Sequence, residues 1–210
     1  MLVRDVMTYN VITIPSTITV FEAERLLESH KFERLPVVDK GKLVGLVTKD
    51  TLLKASPSPA TSLSRGELLY VLSRLTVKEI MKKNVLTVTP DTTIERAIEI
   101  AQENRVGCLI AVEGERVVGI LTTNDIFYKV VNPLFGIGEK GKRIIVYKAG
   151  EMEQMQKVFD SVKKAGLKVK SVWQPTGTEE KDLILQMETE DVVNLISQLK
   201  KDGFSAEERG

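Results

Sequence analysis

The sequence predicts an α/β (α+β) chain built from two copies of one unit followed by a separate smaller unit. Three observations carry that prediction. Residues 3–53 are echoed by residues 77–128 at an offset of 74 residues. Within each copy the apolar residues switch between a two-residue and a 3.6-residue period, the marks of strand and helix. Residues 132–142, NPLFGIGEKGK, are rich in Gly and Lys and make a boundary, after which a new strand and helix order begins.

The offset lays VRDVM (3–7) over VKEIM (77–81), NVITI (10–14) over NVLTV (84–88) and LVGLVT (43–48) over VVGILT (117–122), with Ala23 over Ala97. A unit of about fifty residues buries too little core to stand alone, so the two copies are expected to pack across a pseudo-twofold axis, creating one cleft or two. The boundaries read as a first repeat over 1–56, a linker with an extra helix over 57–76, a second repeat over 77–135 and a further domain over 142–208.

Each repeat reads as strand, helix, strand, strand and short helix. In the first, VITI is a strand, and Val20, Ala23, Leu26 and Leu27 recur at helical spacing, giving a helix over 20–30. LPVVD and LVGLV are short β-rich runs separated by Lys40-Gly41-Lys42, a hairpin. The second copy gives VLTV, a helix over 94–104, CLIAV, a turn around Gly114 and VVGIL. Between the copies, Ser-Pro-Ser-Pro forbids regular helix, whereas residues 66–75 resume a helical period that would otherwise leave their leucines exposed. Beyond the boundary, RIIVYK, residues 151–166, LKVKSVWQ, DLILQM and EDVVNLISQLKK read as βαββα, with a short last strand near 204–207. That is the split-βαβ ferredoxin-like plan, which carries no function by itself.

Composition narrows the function classes. The chain has 210 residues, 42% of them hydrophobic, and 30 Lys and Arg against 29 Asp and Glu for a net charge of +1. Such a balance gives no bulk electrostatic footprint for nucleic acid or an anionic membrane. No apolar run approaches the roughly 18 residues of a membrane span and the N-terminus has no signal-peptide pattern, so the expected place is the cytoplasm. One cysteine, Cys108, and one histidine, His30, leave no internal disulfide and no Cys/His metal set. Cys108 reads as a small apolar core residue and His30 as a helix-terminal cation. Neither a Ser/His/Asp set nor a usable Cys/His pair is present, so the expectation is a protein that is not an enzyme and needs no cofactor.

Two phosphate-loop formulas overlap at Gly136-Ile137-Gly138-Glu139-Lys140-Gly141-Lys142. Both require a strand before the loop and a helix after it. Here helical FYKVV precedes and strand RIIVY follows, while Arg143 stands where a P-loop places Ser or Thr, so the segment reads as an interdomain linker.

The MT near the start, the NVxT strand, RLPVVD and the GLVT and GILTTND closes resemble tandem CBS motifs forming a Bateman module over about residues 1–135. Together with the insert and a C-terminal domain resembling an ACT domain, the chain is similar to the acetoin-utilisation B-type family. The resemblance implies an adenosine derivative, AMP, ADP, ATP or another adenosyl compound, bound between the repeats. The ribose would be held by Asp and phosphate would lie near Thr of a G-h-h-T-x-x-D motif, complete here from Gly119 through Thr122 to Asp125. A carboxylate can accept from both vicinal hydroxyls, and a strand-to-helix turn offers donors to phosphate. Thr-x-x-Asp opening a helix is equally a capping box. In the first repeat Thr48 is kept, but Thr51 replaces the ribose Asp and Asp50 sits one position early, where it can instead cap the following helix. One competent cleft centred on Asp125, or two unequal ones, is therefore expected.

By the same resemblance Thr13 and Thr87 match positions that touch the adenine, and Leu35 and Pro36 match the segment lining the base pocket, with Leu109 and Ile110 in the second repeat. Arg34, Lys31 and Arg105 could supply charge for phosphate or sit solvated on the surface. Trp173 and Tyr147 read as core aromatics or as a lining for a small-molecule site. The ACT resemblance implies an amino-acid site with a Gly-rich loop after the first strand, where Ala149-Gly150-Glu151-Met152 offers only one glycine and no acidic residue just before it. The leading expectation is a regulatory protein, a homodimer by resemblance, that passes ligand occupancy to its ACT-like domain or a regulated protein partner. The rival is a structural dimerisation module with no physiological nucleotide.

Overall fold

In the computed structural model, which describes residues 1–55, 64, 66–67, 74–176 and 181–209, the chain separates into two units, Met1–Ile126 and Phe127–Gly210. The expected linker over 57–76 lies for the most part outside the described residues. The first copy forms α1 (Val3–Val6), β1 (Thr8–Tyr9), α2 (Val20–His30), β2 (Arg34–Asp39), β3 (Lys42–Thr48) and α3 (Lys49–Ala55). The second forms α4 (Val77–Ile80), β4 (Thr87–Val88), α5 (Ile94–Glu103), β5 (Cys108–Glu113), β6 (Arg116–Thr122) and α6 (Thr123–Ile126).

Helix α2 starts where Thr19 and Glu22 close a reciprocal capping box, with Glu22 N–H donating to Thr19 Oγ1 at 3.2 Å and Thr19 N–H to Glu22 Oε2 at 2.8 Å. On α5 the equivalent Thr93 accepts from Arg96 N–H at 3.3 Å, and Arg96 itself stands where the returning carboxylate would be. The hairpins β2–β3 and β5–β6 are antiparallel, and each carries a register slip at the same place, Val37/Val38 and Ala111/Val112. One expectation is corrected. VITI is no strand: only Ile14 bridges to Val37, whereas the matching VLTV pairs Thr87 and Val88 with β5. The extended run satisfies just two hydrogen bonds there, Ile14 N–H to Pro36 O and Val38 N–H to Ile14 O.

The repeats exchange their first helices. Val3 N–H donates to Thr92 O at 2.8 Å and Val77 N–H to Ile18 O at 2.9 Å; Ile94 N–H donates to Met1 O at 3.1 Å and Val20 N–H to Leu75 O at 2.8 Å. Each bond has a partner at the offset of 74, so the pseudo-twofold relation extends to single atoms. Val77, fully buried, packs in one core with Ile14, Val20, Leu27 and Leu35 of the other copy. Strand β1 likewise pairs with β6, Thr8 opposite Ile120, while Lys82 bridges to Leu46. A smaller core of Leu46, Ile110 and Ile120 closes the seam.

The exchange uses glycine as a seat. A Cβ on Gly45 would lie 2.9 Å from Met81 Cγ, and one on Gly119 would lie 3.0 Å from Met7 Cγ, with each methionine sulfur closer still. The motif glycines thus receive a methionine from the opposite copy.

Four carboxylates among the described residues of this unit are held below their ordinary range: Glu22 chiefly by the Thr19 backbone N–H, Glu79 by that of Thr76, Asp39 by that of Ser16 and Glu67 chiefly by the Ser64 hydroxyl. A depressed folded value stabilises above the unfolded pKa, about 4, and the benefit disappears as pH falls through the folded value. Melting temperature is therefore expected to drop between about pH 5 and about pH 3. The combined Thr19→Ala and Thr76→Ala variant should give a flatter profile over that window; an unchanged profile in calorimetry would contradict the assignment.

In the second unit a π-helical stretch, Phe127–Val131, leads into α7 (Asn132–Phe135), then β7 (Arg143–Val146), α8 (Met152–Lys164), β8 (Val169–Trp173), β9 (Leu183–Met187), α9 (Val193–Lys201) and β10 (Ala206–Glu208). The strands form one antiparallel sheet in the order β10-β7-β9-β8. Ile144, Val146, Leu183, Leu185 and Met187 face Val158, Val162, Leu195 and Leu199 of the helices in one core. The glycines of the overlapping phosphate-loop formulas have a local cause. Gly141 holds φ 113, and a Cβ there would overlap the Met187 carbonyl, so the chain passes against β9 where only glycine fits.

Candidate functional site

Two clefts lie in the first unit, related by the pseudo-twofold. The first, about 330 Å³, is lined by Thr8, Val11 and Ile12 of the first copy, by Lys31 and Arg34 after α2, and by Ile120, Thr122 and Asp125 of the second. The second, about 290 Å³, is lined by Lys82, Val85, Leu86, Arg105 and Cys108 of the second copy and by Arg34, Leu46, Thr48 and Asp50 of the first. Each cleft therefore joins the start of one copy to the strand-to-helix turn of the other. Arg34 lines both.

Asp125 is 8% exposed and already engaged. Its Oδ1 accepts from Thr8 Oγ1 at 3.0 Å, and its Oδ2 accepts from the Thr122 backbone N–H at 2.9 Å and from Thr122 Oγ1 at 2.6 Å. The capping reading is thus realised, and it presents the carboxylate to the first cleft rather than removing it. In the first copy Thr48 Oγ1 bonds Thr51 Oγ1 at 2.8 Å and accepts from Thr51 N–H at 3.1 Å. Asp50 does not cap α3; it pairs with Lys54 at 2.9 Å on the exposed side. Thr48 already holds the N–H that a cap would take.

Other residues singled out in the sequence lie elsewhere. Thr13 and Thr87 are exposed, and neither lines a cleft; Val11, Ile12, Val85 and Leu86 just before them do. Leu35 and Pro36 are buried in β2, and Leu109 and Ile110 in β5, behind the cleft walls. Lys31 and Arg105 take equivalent places, one per cleft, each in a left-handed turn after a helix with φ 55 and 52. Cys108, expected in the core, reaches the second cleft; burial raises its thiol pKa while Arg34 and Lys82 lower it. His30 ends α2 as expected and stacks on Phe32 at 5.2 Å. In the second unit Trp173 packs edge-on to Phe135 at 4.8 Å, and Tyr147 donates to Glu207.

No helix among the described residues is long and apolar enough to cross a membrane. The model of the CBS domain matches residues 3–58 and 77–132. L-aspartate semialdehyde sulfurtransferase of Methanocaldococcus jannaschii is 34% identical over 127 residues, 60% of this chain and 22% of that protein. Inosine-5'-monophosphate dehydrogenase of Korarchaeum cryptofilum is 33% identical over 134 residues, 63% of this chain and 25% of that protein. The chain thus spans about a quarter of the length of these relatives. Among solved structures, AcuB of Vibrio cholerae superposes with a TM-score of 0.53 at 28% identity, covering 63% of this chain and 91% of that one. The CBS domain pair of protein MJ0100, in complex with 5'-methylthioadenosine and S-adenosyl-L-methionine, gives 0.50 at 31% identity, covering 60% and 96%.

Proposed function

The chain belongs to the CBS domain family, and from that premise we propose that it is a non-catalytic regulator that senses an adenosyl compound in the Asp125 cleft. The observation that carries this reading is the Asp125 carboxylate, held by Thr8 of one copy and Thr122 of the other at a wall that includes apolar Val11, Ile12 and Ile120. A ribose diol that takes Asp125 from Thr8 changes a bond between the copies. Occupancy thereby acquires different contacts in two arrangements of the module, which is what coupling requires. The similar MJ0100 pair, in complex with adenosyl compounds, supports the ligand class.

The second unit, with strands in the order fourth, first, third, second, fits a ferredoxin-like, ACT-like domain. We assign it, or a partner protein, as the receiver of the signal, and a homodimer as the working form. Thermal-shift measurements on ligand-free protein test the sensing step. AMP, ATP, 5'-methylthioadenosine or S-adenosylmethionine should stabilise it, by about 2.7 kcal/mol at a hundredfold excess over Kd. No shift at millimolar concentration would favour a structural module instead. Light scattering on the same samples should give the dimer mass; a monomer with and without nucleotide refutes that part.

A further inference from the structure

The two clefts share one plan yet differ in charge, and the differences fall at equivalent positions. Thr8, which binds Asp125 in the first cleft, corresponds to Lys82 in the second. Thr123 beside the first corresponds to Lys49, which lines the second, and Asp125 corresponds to Thr51. The first cleft sets Lys31 and Arg34 against Glu33 and Asp125. The second sets Arg34, Lys49, Lys82 and Arg105 against Glu33 and Asp50, and Asp50 is already paired with Lys54. The first is balanced, whereas the second carries a cationic excess and lacks the buried carboxylate that would read a ribose.

Geometry aims that excess into one space. Arg34 crosses to the second cleft over Gly107, where a Cβ would lie 2.9 Å from its Nη2, so the glycine gives the guanidinium its seat. Arg34 and Lys82 both act on the Cys108 thiol inside this cleft. Arg105, in its left-handed turn after α5, lines the same cleft. Cations converging from three separate segments on a cleft of about 290 Å³ match a compact, multiply charged anion.

We propose that the second cleft is a polyphosphate site, taking a di- or triphosphate group through Arg34, Lys82 and Arg105 with Lys49 at its rim, while the Asp125 cleft takes the nucleoside. The proposal rests on reading both clefts as ligand sites, and it divides the ligand chemistry between them. The group can arrive as the tail of a nucleotide or as free pyrophosphate.

Calorimetric titration of the full chain with pyrophosphate, ATP and adenosine separates these cases. Pyrophosphate should bind, should not be displaced by saturating adenosine, and should weaken steeply as salt rises from about 50 mM to about 500 mM. The Lys82→Ala, Arg105→Ala double variant should lose at least tenfold in pyrophosphate affinity, because contacts to charged groups carry that much. Lys82→Arg should retain binding, which shows that charge rather than folding is read. Alkylation of Cys108 should slow when pyrophosphate is present. ATP binding much more tightly than pyrophosphate supports a nucleotide tail, and equal binding supports the free anion. Pyrophosphate binding without adenosine binding sustains this proposal and sinks the adenosyl reading. Absence of pyrophosphate binding, or an ATP affinity indifferent to the double variant, overturns the proposal and leaves adenosine sensing at Asp125 to stand on its own titration.

Discussion

Asp125→Ala is expected to weaken an adenosyl ligand by about ten- to hundredfold, the equivalent of the 1.5–3 kcal/mol, roughly, that a hydrogen bond to a charged group contributes. The second cleft lacks this buried carboxylate, since Thr51 holds the equivalent place and spends its hydroxyl on Thr48. Asp50→Ala should change adenosyl affinity little, because its carboxylate faces Lys54. Asp125 also holds Thr122 and Thr8, so its removal loosens a helix start and a link between the copies. Asp125→Asn keeps the shape and an acceptor oxygen while losing the charge, and circular dichroism on both variants separates ligand loss from unfolding. If titration calorimetry shows binding abolished by Asp50→Ala and intact in Asp125→Ala, the competent site is misassigned.

Gly119→Ala should cost about 2–3 kcal/mol of stability, the upper part of the range for overpacking a filled core. Its new methyl would meet Met7, which is 4% exposed and wedged between the copies. Gly45→Ala repeats the experiment on the other side, where Met81 fills the seat and the Lys82 carbonyl lies 3.1 Å from the new Cβ. A double-mutant cycle isolates the cause: with Met7→Ala already present, Gly119→Ala should add almost nothing in urea denaturation. Equal costs with and without Met7 would mean that the glycine serves the strand itself and not the methionine.

Much of this architecture is legible in the residues. The helix over 20–30 announces itself by the spacing of Val20, Ala23, Leu26 and Leu27, a local signal, and it forms over Val20–His30. The hairpins follow from short β-rich runs around turns at Lys40-Gly41 and Gly114. The motif at Gly119–Asp125 picks out the carboxylate of the first cleft. Less visible are the walls. Thr13 and Thr87 stand out by chemistry, yet the lining falls to Val11, Ile12, Val85 and Leu86, whose direction depends on what the extended segment packs against. VITI and VLTV look alike as strings, yet only the second pairs as a strand, because pairing is settled by the neighbour and not by propensity.

By itself the sequence determined that there are two copies, an offset of 74 residues, a third αβ segment and one complete G-h-h-T-x-x-D motif, since repetition, periodicity and capping are written within a few neighbouring residues. Tertiary structure alone decided how the copies pack, by exchanging their first helices. Val3 and Val77 are completely buried, and each hydrogen-bonds into the opposite copy, because a fifty-residue unit closes its core only by borrowing a helix. That exchange seats Met7 and Met81 on the motif glycines and carries Thr8 to Asp125 and Lys82 to the cleft beside Cys108. It also makes the clefts unequal. Charges distant in the chain acquire a common field only when folding brings them within a Debye length of one another in one concave space.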